Sequence, residues 1–364
     1  MKKKILIIEN SLYVTGALTA VLSTTDRLKD RFDFYYVIPS KSHIGNIIEK
    51  SGYKVYKIPF TEINKSPSLL LYIPKLFLNA RRILKIMKRN RIDMLHVNDI
   101  FNMVGCVVKK MNPGIKLVNH VRLLKDSYIS PLYPFFCKQL KKYADYIICV
   151  SKAVQKDVGD TAKSIVIYDV PVINEKYPIV HKNTDMSIKI LYLGNYLPGK
   201  GQTFGLEAFK EFQKQFPNSS IKFVGASDTV QSAKFKQQLI ESSAGYTNIE
   251  FASKTSDVEY EMKQHDVVLN LSLSESFSFV CLEAMLFGVP LIAADSGGPS
   301  EITDYGTKAL LVPKNDAQAA CNALVSFAND INFYRDRALA SKKWAEQKFN
   351  SQSNINLMTK IYNI

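Results

Sequence analysis

Two α/β domains, each built on a parallel sheet in the Rossmann manner, are predicted for this chain by three observations. Short β-rich apolar runs alternate with helical patterns from end to end, the signature of parallel sheets with helices on both faces. The alternation lapses once, over "PVINEKYPIVHKNTDMS" at residues 171–187, a polar stretch with prolines that reads as a linker. The 364 residues, 46% of them hydrophobic, suffice for a sizeable core on either side of it. The first domain is therefore placed at residues 1–172 and the second at 187–347.

In chain order, the first half offers strands at "KILIIE", "FDFYYVI", "KVYKIPF", "DMLHVN", "IKLVNHV", "DYIICVS" and "SIVIYDV". Helices fall between them, for example Gly16 to Lys29 and Ile73 to Lys88. After the linker, strand "IKILYLG" leads into helix "GQTFGLEAFKEFQKQF", and strand "IKFVGA" into helix "AKFKQQLIESSA". Strands "NIEFAS", "DVVLNLS", "PLIAAD" and "ALLVP" follow, then a helical tail over 317–349 and a last segment "SNINLMTKIYNI". In open parallel sheets ligands bind beyond the carboxyl ends of the strands. With two such domains, the expected site is a cleft between them.

Composition excludes several classes. The apolar run after Lys2, Lys3 and Lys4 stops at Glu9, too short for the core of a signal peptide, and reads as a buried strand. The best membrane-span candidate, "SLLLYIPKLFLNARRILKIM", is broken by Pro74, Lys75, Arg81, Arg82 and Lys85. A cytoplasmic protein is the expectation. Five scattered cysteines without a C-x-x-C fit reduced core thiols. The absence of H-E-x-x-H and D-x-D leaves a dedicated metal site without support. Residues 1–170 hold 29 Lys+Arg against 13 Asp+Glu, so the whole net charge of +15 sits on the first half. Its densest part, Lys75 to Arg91, carries seven basic residues among apolar ones at helical spacing. This is either a solvated surface helix or a face for anionic lipid headgroups, placing the protein peripherally on the inner face of a plasma membrane. Helix-turn-helix, zinc-finger and RNP signatures are absent, so nucleic acid is not expected as a partner.

The most informative stretch is "SESFSFVCLEAMLFGVPLIAADSGGPSEI". Glu275 follows directly on strand "DVVLNLS", at a carboxyl end, and a helix from Phe279 to Phe287 begins just after it. A helix start offers unpaired N–H groups and partial positive charge to an anion such as phosphate. Glu283 lies one turn further along, on an apolar face where a carboxylate needs partners. A sugar nucleotide matches this order: sugar hydroxyls, a diphosphate, then ribose hydroxyls, with carboxylates as acceptors for the paired hydroxyls.

This block resembles the E-x7-E region of retaining GT-B glycosyltransferases of the family four, group 1 type. "ILYLGNYLPGKGQTFGLEAF" is similar to the segment opening that family's second domain, "YADYIICVSKAV" to the one closing its first, and "GALTAVLS" to its N-terminal glycine loop. "KFNSQSNINLMTKIY" resembles the family's last helix, which implies that a helix at about 348–364 crosses back onto the first domain. The resemblance implies two Rossmann-like domains facing across a cleft, and roles residue by residue. Glu275 would hold donor hexose hydroxyls, Glu283 the ribose, and Lys200 the diphosphate as the nucleotide leaves. Backbone N–H groups near Phe277 to Val280 would assist, with Ser276, Phe277, Ser278 and Phe279 as donor-binding positions. Gly16 would let backbone approach the phosphates, and His120 would contact the transferring sugar. A nucleotide-diphospho-sugar is thus the expected donor, with no cofactor and no metal, because Lys200 and a helix dipole replace the cation. The expected acceptor is a saccharide, polyprenyl-linked in the manner of a bacterial surface polysaccharide.

The chain also departs from the pattern. Asn195 stands where the family usually has an arginine, with Arg122 and Lys254 as candidate substitutes. Ser278 replaces a glycine, and Asp169 stands where Asn followed by Gly is common. The competing readings are a sugar-nucleotide epimerase or phosphorylase of the same fold, and a catalytically silent transferase-like subunit. A glycosidase leaves Lys200 unexplained, and a NAD-dependent dehydrogenase lacks its G-x-G-x-x-G after the first strand.

Overall fold

The computed structural model describes residues 2–60, 72–127, 132–159, 161–171, 173, 175–180 and 187–364. The chain divides into two compact units, Met1–Pro171 with Ser351–Ile364, and Val172–Asn350.

The first unit is a seven-stranded sheet of β1 (Lys3–Ile8), β2 (Phe32–Pro39), β3 (Lys54–Ile58), β4 (Met94–Val97), β5 (Lys116–Val121), β6 (Tyr146–Cys149) and β7 (Ser164–Val166). Their order is 3-2-1-4-5-6-7, and every pairing is parallel. Ile5 to Ile8 are fully buried, as a central strand covered on both faces requires. Between the strands run α1 (Gly16–Leu28), α2 (Gly45–Lys50), α3 (Tyr72–Asn90), α4 (Val104–Met111), α5 (Tyr133–Tyr143) and α6 (Lys152–Val158). Thr15 caps α1 and Ser151 caps α6, each hydroxyl accepting from a backbone N–H of the first turn.

The second unit repeats the plan with β8 (Lys189–Leu193), β9 (Ser220–Val224), β10 (Ile249–Ala252), β11 (Val267–Asn270), β12 (Leu291–Ala294) and β13 (Leu310–Val312). The order is 10-9-8-11-12-13, again parallel throughout. Its helices are α7 (Gln202–Gln215), α8 (Val230–Ser242), α9 (Val258–Lys263), α10 (Phe279–Phe287), α11 (Gly298–Ile302), α12 (Ala317–Asn329) and α13 (Ile331–Lys348). Both sheets reverse strand order beside their first strand, so each has one switch point: between β1 and β4, and between β8 and β11.

Two local expectations change. The helical tail over 317–349 breaks at Asp330, which ends α12 and whose carboxylate caps α13 at Phe333 N. The linker is tied down over residues 175–180. Glu259 accepts from the Lys176 and Tyr177 amides, and the buried Lys263 ammonium bonds Glu175, Glu259 and the Tyr177 carbonyl. Residues 172, 174 and 181–186 of the linker lie outside the described set.

The last helix, α14 (Ser351–Tyr362), belongs to the first unit. Ile355, Met358, Ile361 and Tyr362 join the core formed by β1, β2 and α1, and the Tyr362 ring meets Phe32 and Phe34 edge-on. Among the described residues, no helix is long and apolar enough to cross a membrane.

Candidate active site

The second domain gathers its polar groups at the β8/β11 switch point. After β8 the chain forms a tight loop, a 3-10 turn at Pro198–Lys200, and then Gly201 at φ 73°. A side chain at Gly201 would place its Cβ 1.9 Å from the Leu271 carbonyl oxygen, so only glycine lets this loop press on the end of β11. The buried Tyr192 hydroxyl fixes the contact, donating to the Lys200 carbonyl at 2.7 Å and accepting from Leu271 N at 3.0 Å. Lys200 therefore springs from a rigid base. Its Nζ lies 2.6 Å from Glu275 Oε2.

Glu275 is held as firmly. Its amide donates to the Ser296 carbonyl at 3.0 Å and its carbonyl accepts from Gly298 N at 2.7 Å. Gly298 permits the crossing, since a Cβ there would fall within 2.6 Å of the Phe277 backbone. The turn into α10 passes through Ser278 at φ 86°, a left-handed value that costs a non-glycine residue. Its hydroxyl partly compensates by accepting from Cys281 N at 3.3 Å.

One turn along α10, Glu283 is half-buried and has no hydrogen-bond or ion-pair partner among the described residues. Burial pushes its carboxyl up to about 7. A carboxyl in that state accepts readily from any pair of hydroxyls that a ligand offers.

The remaining expected residues fall into two groups. Ser276 and Phe279 stay half-exposed beside Glu275. The Phe277 ring is buried edge-on against Phe349, so its backbone, the part expected to assist, is what it can offer to a ligand. Asn195, after β8, spends its side-chain oxygen on the Ala226 amide at 3.4 Å. Lys254 is exposed after β10, two strand positions from β8, or about 10 Å by strand spacing.

In the first domain, Gly16 opens α1 at an exposed position without a positive φ. His120 is the penultimate residue of β5, is 4% exposed, and stacks on His96 with ring centroids 5.6 Å apart. His96 is buried with Nδ1 2.6 Å from the Tyr362 hydroxyl. Arg122, a candidate substitute for the missing cation, pairs its guanidinium with Asp169 and donates to Asn98 Oδ1 at 2.7 Å.

Sequence reasoning missed a chain of polar groups at the β1/β4 switch point. The buried Glu9 carboxylate accepts from Ser11 N, Ser11 Oγ and Asn98 Nδ2 at 2.9, 2.5 and 2.5 Å. Asp99 accepts from Asn10 at 2.8 Å, and Asn10 in turn accepts from Asn102 at 2.9 Å. The signal was available: "EN" and "ND" directly follow two strands that the hydrophobic pattern makes central. Among the described residues no cluster of His, Cys, Asp and Glu could hold a metal ion.

Comparison with known proteins accords with this geometry. The profile of the glycosyl transferases group 1 matches residues 174–344, and that of glycosyltransferase family 4 matches residues 14–168. An uncharacterised glycosyltransferase of Methanocaldococcus jannaschii is 24% identical over 96% of this chain and 95% of its own. The O-antigen biosynthesis glycosyltransferase WbnH of Escherichia coli is 25% identical over 86% and 90%. Among solved structures, Anabaena HepE in complex with UDP-glucose superposes with a TM-score of 0.79, at 19% identity and 98% coverage of both chains. That likeness carries the fold, two parallel-sheet domains of the GT-B type.

Proposed function

We propose that this chain, which belongs to the glycosyl transferases group 1, moves a hexose from a nucleotide-diphospho-sugar to a saccharide acceptor with retention at the anomeric carbon. The observation that carries the reading is Lys200 held against Glu275 on rigid loops, immediately before a helix start and the unpartnered Glu283. These groups match the three parts of the donor: Glu275 the hexose, Lys200 and the helix start the diphosphate, and Glu283 the ribose. The UDP and UDP-glucose complexes of the Anabaena relative support such a donor.

In the proposed reaction the acceptor hydroxyl attacks C1 from the face that the nucleotide leaves, through an oxocarbenium-like state. The C1–O bond breaks with its electron pair passing to the diphosphate, whose oxygen also takes the acceptor proton. Lys200 then stabilises charge that exists fully only as the bond breaks, which is where preorganised cations gain rate. No side chain is required as base.

The relatives' names support a place in polysaccharide or O-antigen-like biosynthesis. A lipid-linked acceptor fits the basic helix α3, where Ile73, Phe77 and Leu78 are exposed beside Lys75, Arg81 and Arg82.

The test is a binding screen of nucleotide sugars by thermal shift, then transfer from the best binder to saccharide acceptors. Glycosylated product with release of the nucleoside diphosphate is expected, with Glu275→Gln folded and nearly inactive. Full turnover in that variant removes the assignment. Interconverted sugar nucleotide without acceptor product turns the reading to an epimerase.

A further inference from the structure

Arg122 does more than neutralise Asp169. Its Nη2 lies 3.2 Å from His120 Nδ1. A guanidinium has no lone pair to offer and does not lose its proton, so in this contact it can only donate. His120 Nδ1 must therefore accept. The ring's proton is then confined to Nε2, which has no hydrogen-bond partner among the described residues. His120 is also kept uncharged, first by its burial and then by the positive Arg122 and the neighbouring His96.

The guanidinium is immobilised in turn. Nε donates to Asn98 Oδ1, which belongs to the amide held by the Glu9 carboxylate, and Nη1 pairs with Asp169. One planar group thus joins the polar chain of the β1/β4 switch point to the histidine at the end of β5.

We infer that Arg122 is a positioning residue that locks His120 as the Nε2–H tautomer, so that the ring presents one unpaired donor to an oxygen of the bound sugar or acceptor. The use of that donor rests on the transferase reading, whereas the lock itself does not. A buried donor left unpaired costs free energy that a correctly seated oxygen recovers. Which nitrogen of a catalytic-site imidazole carries the proton is commonly set by the bond its other nitrogen makes.

The experiment is imidazole nitrogen NMR of the full chain, labelled with nitrogen-15 at its five histidines, with His120→Asn identifying the resonance. Wild type is expected to show His120 neutral at pH 7 and protonated only on Nε2. In Arg122→Lys, whose ammonium cannot span Asn98, Asp169 and His120 together, the proton is expected to exchange between both nitrogens. Turnover should then fall about tenfold at unchanged donor KM, part of the roughly hundredfold that a directed donor contributes. If Arg122→Lys does not fold, Arg122→Met combined with Asp169→Asn removes both buried charges together and is read in the same way. A wild-type ring protonated on Nδ1, or charged, overturns the inference. So does a pure Nε2–H tautomer that persists in the folded variant. If wild type shows the lock but transfers nothing from any nucleotide sugar, the inference stands and the transferase reading falls.

Discussion

Lys200 Nζ and Glu275 Oε2 are 2.6 Å apart, and their side chains are 35% and 17% exposed. A pair this accessible contributes at most about 1 kcal/mol to the fold, so either member can exchange its partner for a ligand at small cost. The loops beneath them, by contrast, are fixed by Tyr192, Gly201 and Gly298. The rigid base and the exchangeable tip separate stability from activity.

Lys200→Met is therefore expected to leave thermal stability within about 1 kcal/mol of wild type. Turnover should drop about a hundredfold or more, the effect of losing one preorganised charge at the leaving group. Differential scanning calorimetry and steady-state kinetics on the same preparation check both halves.

Gly201→Ala should cost stability as well as activity. Its Cβ would lie 1.9 Å from the Leu271 carbonyl, and the residue would also carry a φ of 73°. A loss of about 2 kcal/mol or more follows from strain and displaced backbone. Activity should fall with it because the base of Lys200 moves. Chemical denaturation measures the first effect.

Ser278→Gly relieves a left-handed φ worth about 1 kcal/mol. Glycine in place of a serine cap costs only a few tenths of a kcal/mol. The variant should be slightly more stable than wild type. A melting temperature below that of wild type would show the hydroxyl cap to outweigh the strain.

Glu283 gives a pH signature. Its carboxyl titrates near 7 in the folded chain against about 4.5 ordinarily. The folded state thus holds an extra proton between those values. The associated stability is full below the unfolded pKa and is lost as pH rises through 7. The loss is on the order of 1–3 kcal/mol. Glu283→Gln should flatten the decline in melting temperature between pH 5 and pH 7. A donor that bonds Glu283 through ribose hydroxyls should release a proton on binding, detectable as a buffer-dependent heat in calorimetry.

Flotation with vesicles tests α3. Anionic vesicles should carry the protein and neutral ones should not, since each basic residue near the surface contributes about 1 kcal/mol. Phe77→Ser with Leu78→Ser should weaken flotation while leaving transfer to a water-soluble acceptor unchanged.

Much of this was legible in the residues themselves. Strand cores such as Ile5 to Ile8 announce themselves by unbroken hydrophobicity, and α10 runs over the residues its pattern indicated. Long-range partnerships were not legible. That Arg122 meets Asp169, 47 positions away, depends on β5 and the segment after β7 ending on one side of a sheet. Phe277 looked like its neighbours in sequence, and only the approach of Phe349 turns its ring inward. Short helices such as α2 and α11 have too few turns for a periodic signal.

The hydroxyl of Tyr362 touches His96, and Tyr362 has no exposed surface. A ribosome making this polypeptide therefore completes the opening domain only after the whole of Val172–Asn350 has been translated. Until α14 leaves the exit tunnel, the nascent sheet lacks a wall. Fusions and truncations near residue 362 should accordingly be judged as edits to the N-terminal half.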